Sequence, residues 1–80
     1  MKGEVMKHFE IGITTGGTRE FTFRCDGIHN AYDAINDAVN YFGLGEDMDE
    51  IMRILVKMDE NKLVTHRHAG LNVYVRDGER

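Results

Sequence analysis

DGIHNAYDAINDAVNYFGLGEDMDEIMRILVKMDEN, residues 26–61, is the stretch on which the fold turns. In its first half Ile28, Ala31, Tyr32, Ile35, Ala38, Val39 and Phe42 recur at offsets of three and four, the period of a helix with one apolar face. His29, Asn30, Asp33, Asn36, Asp37 and Asn40 take the other side. Asp26 is placed to cap this helix and Gly43 to end it. In the second half Met48, Ile51, Met52, Leu55 and Met58 form a second stripe, with Ile54 alongside. Asp47 and Glu50 have the spacing of a capping box, Leu44 and Ile51 are the expected hydrophobic staple, and Asn61 can end the helix. The link Gly43-Leu44-Gly45 is short enough to fold the second helix back on the first as an αα-hairpin.

The flanks change period from 3.6 to 2. Before the helices, Phe9, Ile11 and Ile13 alternate with polar residues, as do Phe21, Phe23 and Cys25, so Val5 to Cys25 reads as a β-hairpin. A two-residue Gly16-Gly17 turn would set the apolar residues of one strand against the polar face of the other. A three-residue loop of Thr15, Gly16 and Gly17, with Gly17 left-handed, avoids this; it places Ile11 opposite Phe21 and Phe9 opposite Phe23. After the helices, Lys62 to Asp77 alternates again through Leu71, Val73 and Val75. A two-residue Ala69-Gly70 loop sends Val64, His66 and His68 to the face of those aliphatics, whereas a three-residue loop would send Leu63, Thr65 and Arg67. Neutral imidazole is easier to bury than guanidinium, which favours the first.

The expected architecture is α+β in the order ββααββ: a two-layer sandwich with a four-stranded, mostly antiparallel sheet and an αα-hairpin on one face. Eighty residues leave room for one domain, 1–80, with one modest core. Strand order is open, because the hairpins can meet through Val5 to Thr14, through Lys62 to His68, or by other edges. At least two strand edges stay unpaired.

Composition narrows the chemistry. A single cysteine, Cys25, excludes an intramolecular disulfide, and charged residues interrupt Met1 to Glu10, so neither a stabilising crosslink nor a secretory signal is expected; the expected location is cytoplasmic. No serine is present to act as a nucleophile, and Cys25 with a distant histidine is not a catalytic dyad without geometry to support it. Gly43-Leu44-Gly45 lacks the lysine of a phosphate loop and is followed by Glu46 and Asp47, which would repel phosphate. His66 and His68, with Cys25 or His8, are the one set with metal-ligand chemistry, but no Cys-x-x-Cys or His-Glu-x-x-His spacing supports it. A winged-helix reading of the second hairpin fails because the helix before it is acidic. The expectation is a protein that is not an enzyme, with no cofactor and no metal, and with neither a nucleic acid nor a membrane as its partner.

Charge is where the sequence departs from the ordinary. Residues 26–60 hold nine acids and two bases, a balance of −7, while the rest holds eight bases and five acids, +3; the whole-chain value of −4 conceals this dipole. Acids at Asp26, Glu46, Asp47, Asp49 and Glu50 also suit helix starts. Asp33 and Asp37, one turn apart in mid-helix, have no such use and repel each other slightly. Asp33, Asp37, Glu46, Asp47, Asp49 and Glu50 are therefore the candidate partner-binding residues. They suit a small regulator or inhibitor, of the kind carried by bacteria, phages or mobile elements, that occupies a basic surface on a protein partner. The alternative expectation is a homo-oligomeric structural domain, a homodimer for example, assembled through an open strand edge, with Met48, Met52 and Met58 as an adaptable apolar surface.

Overall fold

A computed structural model describes residues 7–15, 19–68 and 70–76. They form β1 (His8–Thr15), β2 (Arg19–Asp26), α1 (Ile28–Phe42), α2 (Met48–Asp59), β3 (Thr65–His68) and β4 (Leu71–Arg76). The sheet runs β2-β1-β4-β3 with every neighbouring pair antiparallel, so the hairpins meet through β1 and β4. This is the expected ββααββ order, with strand order now fixed.

The alternation sorts the sheet's two faces. Phe9, Ile11, Ile13, Leu71 and Val73 are buried on one face, together with Ala31, Ile35, Ala38 and Val39 of α1 and Ile51, Ile54, Leu55 and Met58 of α2. The apolar stripes of both helices thus close over one side of the sheet. Glu10, Gly12, Asn72 and Tyr74, paired across the central strands, occupy the opposite face, which no described helix covers. In the second stripe Ile51, Ile54, Leu55 and Met58 are buried as expected, but Met48 and Met52 are half-exposed, and the burial of Met58 removes it from the outer apolar surface of the homo-oligomeric alternative.

The first hairpin has its expected faces in a different register. Ile11 lies opposite Phe23, Phe9 opposite Cys25 and Ile13 opposite Phe21. The expected register would have set Ile13 against Arg19. Sliding by two residues keeps every side chain on its face and gives all three apolar residues of β1 an apolar partner. The loop is consequently 16–18 rather than 15–17; it lies outside the described residues, as does the conformation expected of Gly17. The second hairpin takes the two-residue register, with His68 opposite Leu71 and His66 opposite Val73. Ala69 is outside the described residues. Arg67 goes to the open face, where its Nε donates to Asn72 Oδ1 at 2.9 Å. Val64, expected on the strand, precedes it and is 67% exposed.

Helix ends follow the sequence in three places and depart from it in three. Gly43 adopts φ 67° and ψ 43°, and its N–H, with that of Leu44, returns to the Val39 carbonyl. Asp47 caps α2, accepting the Asp49 N–H at 3.0 Å. Asn61 at φ 65° carries the chain out of α2. Asp26, however, is not the cap of α1. It closes β2, its carboxylate is held by His8 Nδ1 at 2.6 Å, and Gly27 occupies the cap with no side-chain bond. Nor does Glu50 complete the capping box, because its carboxylate turns to Arg53 Nε at 3.2 Å. Leu44 packs against the core, but Glu46 is the residue directly before the cap, so Leu44 and Ile51 are not a staple pair.

Candidate functional site

The acidic surface is built from two helix exteriors. On α1, the apolar stripe that buries Ala31, Ile35, Ala38 and Val39 forces Asp33 and Asp37 outward, where both are exposed. On α2, Asp49 and Glu50 stand in the first turn, where the helix dipole favours negative charge. Glu50 pairs with Arg53 and Asp47 is engaged as the cap. Among the described residues, Asp33, Asp37 and Asp49 have no ion-pair partner.

Glu46 departs from the expected set. Its side chain is 6% exposed and its Oε2 lies 2.8 Å from His68 Nδ1, so it ties the link between the helices to β3. A carboxylate so placed offers little to a partner. No local signal points to this contact, because it joins residues 22 apart that only the tertiary fold brings together.

Open-face chemistry centres on Glu10, which sequence reasoning did not single out. Register sets it opposite Arg24 on β2 and Tyr74 on β4. Arg76 donates to its Oε1 and the Tyr74 hydroxyl to its Oε2, each at 2.8 Å, while Arg24 Nε lies 3.5 Å away. The hydrogen bonds from Arg76 and then Tyr74 hold the Glu10 carboxyl below the usual carboxylate range. The same bond to Glu10 raises the Tyr74 phenol. Beside this cluster a groove of about 300 Å³ runs over Gly12, bordered by Thr14, Thr22, Arg67, Asn72 and Tyr74. Its lining holds threonine hydroxyls and amide groups but neither a cysteine nor a histidine.

The histidine and cysteine set does not converge. His66 and His68 stack on β3, ring centroids 6.4 Å apart, whereas Cys25 is on β2 at the far edge. Three strand spacings, about 14 Å, separate the two edges. His8 is engaged by Asp26. Among the described residues no three metal-ligating side chains come together. Burial, with a smaller contribution from the Asp26 carboxylate, pushes the Cys25 thiol up, the opposite of what nucleophilic catalysis requires. No described helix is long and apolar enough to cross a membrane.

Comparison with models of protein families, with curated proteins and with solved structures finds no match.

Proposed function

We propose that this protein is a small non-catalytic binding module, a regulator or inhibitor working in the cytoplasm, whose helical layer engages a basic surface on a protein partner. The observation that carries this reading is the exposure of Asp33, Asp37 and Asp49 without ion-pair partners among the described residues, in a segment, 26–60, with a balance of −7. Carboxylates left uncompensated on rigid helices present a fixed negative field that steers a basic surface into register. Glu50 and Asp47 add to that field from the start of α2, while Glu46 supports the scaffold beneath it.

The test is capture from the native host with the wild-type chain and with the Asp33→Lys, Asp37→Lys, Asp49→Lys variant, both confirmed folded by circular dichroism. The expected result is a protein with a basic surface that the wild type retains at low salt, that elutes steeply as salt rises, and that the variant does not retain. Equal capture by both chains, or retention indifferent to salt, overturns the reading.

A further inference from the structure

Among the described residues β2 and β3 are the free edges of the sheet, and they are not equivalent. β3 is four residues long, and its terminal His68 is engaged by Glu46. β2 is eight residues long, carries no lysine, and pairs with β1 without a bulge along its whole length; the chain has no proline at all. It therefore lacks several devices that commonly blunt a sheet edge. The residues that turn their backbone outward can be identified. Gly27 N–H donates to the Lys7 carbonyl at 2.8 Å, one step beyond the His8 and Asp26 pair. Bonded pairs alternate along an antiparallel ladder, so Phe21, Phe23 and Cys25 direct their N–H and C=O groups to β1, while Glu20, Thr22 and Arg24 direct theirs away from the sheet.

We infer that two copies of this chain join through β2 as antiparallel strands, with a two-fold axis at Thr22 that doubles the sheet. A two-fold axis normal to the sheet keeps both helical layers on one side and fixes which residues oppose each other. With Thr22 on the axis, Glu20 faces the partner's Arg24 and Arg24 faces the partner's Glu20. These are opposite charges, met twice by symmetry, on outward-facing positions able to exchange about six backbone hydrogen bonds in all. The neighbouring register with Phe23 on the axis sets Glu20 against the partner's Asp26, two like charges. The same Thr22 register brings Phe21 opposite the partner's Phe23 on the helix-covered face. Phe21 is 40% exposed at the open edge, in an aromatic group with Phe42 at 5.2 Å and with Tyr41, which is 83% exposed. α1 packs on both β1 and β2, so the two copies of α1 would lie side by side over the joined edge.

This inference stands apart from the acidic-face reading, since it is measured on the protein alone. Sedimentation of the full chain from micromolar to millimolar concentration should show a monomer–dimer equilibrium. Glu20→Arg or Arg24→Glu alone should raise the dissociation constant roughly tenfold, because each creates two like-charge oppositions, and the double exchange should restore it. A cysteine crosslink provides a readout that does not depend on charge. In a Cys25→Ser background, Thr22→Cys places its Cα about 5.5 Å from its symmetry mate, within disulfide range, and should give a covalent dimer on mild oxidation. Glu20→Cys, which faces the partner's Arg24, should not. A wild-type chain that stays monomeric at millimolar concentration, or a dimer whose Thr22→Cys form does not crosslink, overturns the inference.

Discussion

Glu10 shows how much one position can depend on partners far along the chain. Its cross-strand neighbours Arg24 and Tyr74, and Arg76 beyond them, come from both hairpins, so no local window of sequence shows the cluster. Its carboxyl is held low in the folded protein, and the ionised form is therefore favoured by folding. That contribution is present above the unfolded value of about 4.3 and is lost as pH falls through the lower folded value. Glu10→Gln should accordingly lower the melting temperature at neutral pH, and the gap from wild type should close on acidification. Thermal unfolding followed by circular dichroism across an acid pH series checks both parts. A gap that widens in acid would show that Glu10 is not stabilised as the carboxylate. Arg67 illustrates the opposite case. The cost of burying guanidinium was enough to place it on the open face from sequence alone, and it is found there beside Asn72.

Secondary-structure elements were the most legible scale, since their signals are local. The two stripes at offsets of three and four, Gly43 as a left-handed terminator and Asp47 as a cap all lie within a few residues of what they control. Asp47→Ala should cost about 1 kcal/mol in a urea unfolding experiment, by leaving the Asp49 N–H without its acceptor. Glu50→Ala should cost much less, because its pair with Arg53 is solvent-exposed. Equal losses would mean that the capping box is closed in solution. What local signals missed was competition. Asp26 has the right chemistry for a cap, but His8 holds its carboxylate. The first hairpin's register was displaced because alternation fixes faces only up to a shift of two, and the choice among such shifts depends on pairing all of Phe9, Ile11 and Ile13 with apolar partners. Gly70 is a similar case. At φ 90° a Cβ there would come within 2.9 Å of the Thr14 carbonyl oxygen, a constraint from a strand 56 residues away that no turn signal contains.

At the scale of the whole molecule, the segregation of charge was legible because it is a sum over sequence, whereas strand order was not, because alternating strands of similar length are interchangeable on pattern alone. Of the acidic candidates, Asp33, Asp37 and Asp49 face solvent with no ion-pair partner among the described residues, Asp47 and Glu50 have structural partners, and Glu46 is drawn inward. Exposed acids of one sign on one layer repel one another, so Asp33→Asn with Asp37→Asn should give a small rise in melting temperature at low salt that fades as salt is added. A fall in stability would instead indicate that these carboxylates hold the fold together. The order β2-β1-β4-β3 also governs how the chain reaches this fold. β1 and β4 are the two central strands, yet His8 pairs with Arg76 and Ile13 with Leu71, so the middle of the sheet closes only when two strands separated by both helices and two other strands meet. Until β4 is in place, both helices lack part of the apolar surface they cover, Leu71 and Val73. The first hairpin would wait with β1 open on one side, and the arrival of β4 would be the step that commits the sheet to fold.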